Sequence, residues 1–167
     1  MLSIHVFWDG LLYWLYWTTK IKHHGGKGVG IRIRPQYSSP SEHPENGDLR
    51  DLYRPIFQKH QVDIVLQAHD HNYQRTIPLN MIKRQANPYV TDNNAKNYED
   101  RVGSVYVTVG TGGAALHKLN GKAPYVAAQY MGFGFLDISI TSNGENLTSS
   151  FYASSDDTVR DRFTLIK

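Results

Sequence analysis

There is no cysteine among the 167 residues, which excludes a disulfide scaffold, a thiolate metal site and a cysteine nucleophile. Histidine and carboxylate must supply any metal ligands. No apolar run approaches the roughly 20 residues that a spanning helix requires; the longest candidate, Val6–Trp17, is interrupted by Asp9-Gly10. That opening segment also lacks the basic start and small-residue cleavage site of an export signal. It reads as an interfacial or partner-binding stretch, or as an ill-defined N-terminus. Strong charge of one sign is missing too: 18 basic residues against 15 acidic give a net +3. The cations are scattered rather than gathered in a stripe, so nucleic acid is not indicated as a partner.

What is present suffices for one domain, since 40% apolar residues in a chain of this length can bury a core. Residues 18–30, rich in glycine and lysine, read as a loop. A short strand, Val29–Arg34, runs into Pro35 and a polar loop that Pro40 and Pro44 keep irregular. From Asp48, a plausible N-cap, apolar residues recur at helical spacing through Phe57, with a kink expected at Pro55. Val62–Leu66 is a nearly unbroken β-branched run, the pattern of a strand covered on both faces. Helix followed by buried strand predicts an α/β fold. Ile77–Val90 is a weaker extended segment, and the polar stretch Thr91–Arg101 reads as an exposed excursion.

The last third changes character. Ser104–Val109, Phe133–Ile140, Asn146–Ala153 and Arg160–Ile166 are short alternating or β-branched runs, and Ser142-Asn143-Gly144 fits a hairpin turn. These predict an antiparallel C-terminal sheet, whose unpaired edge invites self-association. Asn146-Leu147-Thr148 has the letters of a glycosylation sequon, a triplet that also arises by chance.

The chemistry centres on His69-Asp70-His71, placed just after the buried strand. In extended backbone, residues two apart project to one side, so His69 and His71 face one site and Asp70 points away. Imidazole suits zinc, iron and manganese, and open α/β sheets place ligands beyond the carboxyl ends of their strands. With eight histidines in the chain, spacing alone leaves a chance pairing equally open. His23, His24 and His117 have no supporting neighbours and are expected in solvent.

The run Val62-Asp-Ile-Val-Leu-Gln-Ala-His-Asp-His-Asn-Tyr-Gln-Arg-Thr76 resembles the last metal-binding motif of the calcineurin-like metallophosphoesterases, a hydrophobic strand ending in Gly-His-x-His. In the purple acid phosphatase branch that motif continues into an aromatic and an arginine, as Tyr73 and Arg75 do here, while Ala68 replaces the usual glycine. Pro35-Gln-Tyr-Ser-Ser39, Val105–Gly113 with its Gly110-Thr-Gly-Gly, and Gly132–Ile138 are similar to the flanking segments. The resemblance covers roughly residues 33–167. It implies a partial metallophosphoesterase β-sandwich with flanking helices over 32–167, preceded by an atypical segment, 1–31, without family likeness.

By that resemblance, His69 and His71 each ligate one metal of a binuclear iron, zinc or manganese centre that hydrolyses phosphomonoesters. His43 falls in a loop where the branch carries substrate-facing histidines, so it binds phosphate or protonates the leaving group, or is an ordinary exposed histidine. Tyr73 and Arg75 bind substrate, or else pair with a structural carboxylate. Gly110-Thr-Gly-Gly forms a turn beneath the site, since no helix signature follows it.

The family builds most of its centre from the upstream motifs Asp-x-His or Asp-x-x-Tyr, Gly-Asp-x-x-[Asp/Tyr] and Gly-Asn-His-[Glu/Asp]. None is recognised in this chain, whose first 31 residues bear no likeness to the family, and Ile33 occupies the place of a further ligand histidine. Two imidazoles without bridging carboxylates make a weak divalent site. Two readings follow: a phosphomonoesterase whose N-terminal metal motifs are missing here, or a non-catalytic β-rich interaction module that keeps the fold.

Overall fold

The computed structural model describes residues 2–8, 13–17, 29–31, 34–42, 47–80, 89–91, 93–99, 103–141 and 143–166. In chain order the elements are β1 (Leu2–Trp8), β2 (Tyr13–Trp17), β3 (Val29–Ile31), α1 (Gly47–Lys59), β4 (Ile64–Gln67), β5 (Tyr73–Thr76), β6 (Leu79–Asn80) and β7 (Tyr89–Val90). They continue with β8 (Asn97–Glu99), β9 (Val105–Val109), β10 (Val126–Tyr130), β11 (Gly134–Ile140), β12 (Asn146–Ala153) and β13 (Val159–Ile166). A mixed sheet runs β10-β5-β9-β4-β3, a second runs β2-β1-β11-β12-β13-β8, and β6-β7 form a small ribbon.

Alternation explains the layers. Along β4, Ile64 and Leu66 join Val105, Val107 and Val109 against Leu136, Ile138, Leu147, Phe151, Phe163 and Leu165 of the second sheet. Val65 of the same strand faces the other way, into a cluster with Tyr37, Phe57 and Tyr106. A strand that feeds two cores must be apolar at every position, which is why this run shows no period of two. Helix and sandwich thus share the first sheet as their common layer. Among the described residues no helix is long and apolar enough to cross a membrane.

α1 forms as its spacing predicts and passes through Pro55 without ending. It stops in a Schellman arrangement: Val62 N–H donates to Phe57 O at 3.0 Å, and Gln61 N–H to Gln58 O at 3.2 Å. Gln61 takes the left-handed position there, at φ 49°. This turn aims the chain directly into β4.

The runs at 133–140, 146–153 and 160–166 form the antiparallel strands β11, β12 and β13, and Gly144, at φ 75°, supplies the positive φ that the β11–β12 hairpin turn requires. The run at 104–109 instead forms β9 in the first sheet, parallel to β4, and β10 answers to no run read in the sequence. Two further segments differ from the sequence reading. The excursion around residues 93–97 is exposed, but its end becomes β8, which pairs parallel with β13 and buries Tyr98 completely. One aromatic in a polar stretch was too little signal. The N-terminal residues also join the fold: β1 pairs antiparallel with β11, β2 with β1, and β3 parallel with β4. Of the loop expected over 18–30, residues 18–28 lie outside the described residues.

Candidate functional site

The loop from Ala68 to Asn72 leaves the carboxyl end of β4 and turns back into β5. Ala68 is fully buried, and His69 sits at φ 75°, a left-handed conformation that few side-chain-bearing residues adopt. The loop is therefore bent rather than extended, and Asn72 N–H donates to Asp70 O at 2.9 Å. Asp70 is fully buried, whereas His69 and His71 are half-buried.

Asp70 is the anchor of this loop. Ser41 Oγ donates to Asp70 Oδ2, Gln74 Nε2 approaches the same oxygen at 3.4 Å, and His117 Nδ1 lies 3.1 Å from Oδ1. A carboxylate at zero exposure needs such donors, because an unpartnered buried charge costs several kcal/mol. Around it runs a polar network: Gln67 bonds the backbone of Gln36 and Tyr37, and Gln74 accepts from Ser39 N–H at 2.7 Å. Side chains rather than a strand pairing therefore hold segment 36–41 beside the histidine loop.

His117, expected in solvent, is instead part of this cluster. Its ring stacks on that of His71 with centroids 4.1 Å apart and 14° between planes. Its Nδ1 lies 3.0 Å from the His71 amide and 3.1 Å from Asp70. The loop 110–117 places it: Gly110 N–H donates to Asn72 O at 3.1 Å, and His117 N–H to His71 O at 3.0 Å. Nothing in the local sequence marks His117, because its partners lie 46 and 47 residues upstream.

His71 Nδ1 lies 2.7 Å from the carbonyl of Ala115. A carbonyl only accepts, so Nδ1 is the donor, and in a neutral ring that makes Nε2 the nitrogen with a lone pair, the tautomer that a metal-binding imidazole needs. The fit ends there. Among the described residues no three histidine or carboxylate side chains come together in a way that could hold a metal ion. Gly47-Asp48-Leu49-Arg50-Asp51 has the letters of one upstream motif, but it forms the first turn of α1. Asp51 there is 62% exposed, close to Arg50 and Arg54. His43, His23 and His24 lie outside the described residues.

Tyr73 and Arg75 point elsewhere. Both are buried in β5, where Tyr73 Oη donates to Asp161 Oδ2 at 2.7 Å. Arg75 holds Asp161 with two bonds, Nε to Oδ2 at 2.5 Å and Nη2 to Oδ1 at 2.9 Å. Its remaining donors reach Tyr98 Oη and the carbonyl of Ala95, and its guanidinium lies 4.6 Å from the Phe163 ring centroid. Burial opposes the charge on Arg75, but the hydrogen bonds and charge of Asp161 outweigh it and raise the guanidinium pKa. Burial, then the Asp161 charge, pushes the Tyr73 phenol well above its ordinary value. The structure does not bring this pair to the histidine loop.

Residues 103–162 match the family model described as iron/zinc purple acid phosphatase-like protein C. "Probable inactive purple acid phosphatase 1" of Arabidopsis thaliana is 30% identical over 138 residues, which cover 78% of this chain and 21% of that relative. The structure of purple acid phosphatase PPD1 from yellow lupin (Lupinus luteus) seeds superposes with a TM-score of 0.67. It is 25% identical over 83% of this chain and 24% of the lupin chain. This is a purple acid phosphatase-like C-terminal portion. "Purple acid phosphatase 19" of Arabidopsis thaliana is 28% identical over 71% of this chain and 30% of its own length. The purple acid phosphatase-like chain thus spans less than a third of the curated relatives it matches. The family has a binuclear metal centre; the described residues of this chain do not fit one by themselves.

The tyrosines make a pH prediction. Burial also raises the phenol of Tyr106 above its ordinary value. A pKa raised in the folded state contributes stability that is complete below the unfolded value, near 10, and is lost as pH rises beyond it. Unfolding free energy should therefore fall above pH 10 by up to about 1.4 kcal/mol per pH unit for each phenol. Phenolate absorbance against pH should show both tyrosines ionising only as the fold is lost.

Proposed function

We propose that this chain is the C-terminal portion of a metal-dependent phosphomonoesterase of the acid phosphatase type. His69 and His71 are its contribution to the metal site, which the described residues do not complete by themselves. The observation that carries the reading is the His71 imidazole, fixed by Ala115 in the tautomer that leaves Nε2 free of a proton, at the carboxyl end of β4. Family likeness over residues 103–162 supports a phosphoester as substrate class. The role of this portion is positional: Asp70, Ser41, Gln74 and His117 fix the bend of the histidine loop. His43 stays assigned to the phosphate or its leaving group, and residues 32–167 to the family-derived unit.

A second reading, a non-catalytic module with the same fold, is favoured for the isolated chain by the lack of three converging ligands among the described residues. One similar relative carries "inactive" in its name and another does not. A chimera separates the readings: residues 34–166 replace the matching segment of the lupin enzyme, and a chromogenic phosphate ester is supplied with iron, zinc or manganese. Turnover that falls at least about 100-fold in His71→Ala is expected, the usual scale for loss of an essential site group. A folded chimera with no turnover, or turnover indifferent to His69→Ala and His71→Ala, overturns the first reading.

A further inference from the structure

The loop that follows β9 has two sides. Its ends hold the histidine loop: Gly110 N–H donates to Asn72 O at 3.1 Å, and the Ala115 carbonyl lies 2.7 Å from His71 Nδ1. Its tip is tied to the start of β11, where Gly134 N–H donates to Thr111 O at 3.1 Å and Thr111 Oγ1 to Gly134 O at 2.8 Å. Against that tip lies a cavity of about 410 Å³, walled by Phe133, Phe135, Gly112, Gly113, Thr111 and Ser154. The Phe135 ring is held by stacking on Tyr152, with centroids 5.3 Å apart and 14° between planes. Phe133 is 45% exposed, and no heavy atom stands within 4 Å of where a Cβ on Gly113 would be. β4 and β9 run parallel, so the loops that carry His71 and this cavity leave the first sheet at the same end.

We propose that this cavity receives the alcohol portion of the phosphoester and selects an aromatic ring carried a few bonds from the phosphorus. The inference rests on the phosphomonoesterase reading for what brings the ester there, and adds which ester. Apolar cavities of about 150 Å³ already accept benzene, and ligand pockets of this size are commonly walled by aromatic side chains with few polar groups. Two phenyl rings beside glycine backbone suit a flat group, which gains offset or edge-on ring contacts that an alkyl chain cannot make. Among the described residues no charged side chain lines the cavity, and Thr111 Oγ1 is spent on Gly134, so a second phosphate finds no partner there. Gly113 stands two residues from Ala115, a span of at most about 7 Å, with the His71 ring beyond. A ring joined directly to the ester oxygen falls short of that distance; a linker of about three carbons covers it.

The metal-free chain is titrated with 3-phenylpropyl, nonyl and propyl phosphate while the backbone amide signals of Gly112, Gly113 and Gly134 are followed. The phenylpropyl ester is expected to shift these signals and to bind about tenfold more tightly than the propyl ester, the scale of one good aromatic contact. Nonyl phosphate has the same number of carbons and more apolar surface, so hydrophobicity alone would favour it; the proposal places it below the phenylpropyl ester. Phe133→Ala should lose about tenfold in affinity for the ring, and Phe133→Tyr, which keeps the aromatic wall, less than about twofold. The 45% exposure of Phe133 makes either variant compatible with folding. Nonyl phosphate binding as tightly as the phenylpropyl ester overturns the selection of a ring. Unmoved amides with all three esters, or undiminished binding in Phe133→Ala, overturn the cavity as the site. These readouts need neither metal nor turnover, so the phosphomonoesterase reading fails separately, in the chimera.

Discussion

Replacing Arg75 by alanine is expected to lower the free energy of unfolding by about 3–5 kcal/mol, the range for removing one partner of a buried ion pair. Arg75 is 1% exposed and Asp161 8% on their side chains. Without the guanidinium, Asp161 keeps Tyr73 Oη but loses both charge-assisted bonds. Tyr98 Oη and the Ala95 carbonyl lose their partner as well. Asp161→Ala should cost a similar amount from the other side, leaving an unpaired guanidinium over Phe163. A domain is stable by only about 5–15 kcal/mol, so either change removes much of the total. The double variant Arg75→Met/Asp161→Leu leaves no orphaned charge and should lose less than either single change. Urea unfolding of the three variants checks this; single losses under about 1 kcal/mol would show the pair to be far better solvated than its burial indicates.

Gly110→Ala should unseat the histidine loop. A Cβ at that position falls 2.0 Å from the Asp70 carbonyl oxygen, 2.8 Å from its carbon and 3.0 Å from His71 Cα. All three are backbone atoms, so no rotamer change relieves the overlap. Overpacking of this kind costs roughly 1–3 kcal/mol and more where the main chain must shift. The movement should separate the His71 and His117 rings, which proton chemical shifts of stacked imidazoles report. Gly113→Ala is the control. Gly113 has φ 140° but open space around its Cβ position, so alanine there brings backbone strain without collision. If Gly113→Ala disturbs the two imidazoles as much as Gly110→Ala, close packing is not what seats the loop.

The sequence was informative wherever burial follows from local pattern. β4 read as doubly covered because Ile64 and Leu66 serve one core and Val65 the other. β11 reads as a strand because its apolar residues alternate, and its burial alternates with them, whereas in β12 three successive residues, Ser149–Phe151, are buried. The histidine loop was legible as a motif, but its support was not. His117 reaches Asp70 from 47 positions away, and Asp161 reaches Tyr73 from 88. Such partners are chosen by the fold, and neither residue has a neighbour that betrays the role. Tyr98 was hidden for another reason: β8 is only three residues long, and its two flanking positions are exposed. Gly47–Asp51 shows the reverse hazard, letters of a metal motif on the exposed first turn of a helix.

Everything functional in this account turns on His69-Asp70-His71, and metal stoichiometry tests it most directly. The purified chain is dialysed against zinc, manganese or iron(II) and the bound metal is counted, with His69→Ala and His71→Ala alongside. Two imidazoles without a bridging carboxylate should hold less than one ion per chain, and either alanine should abolish what is held. Two ions per chain that survive dialysis against buffer would contradict the account.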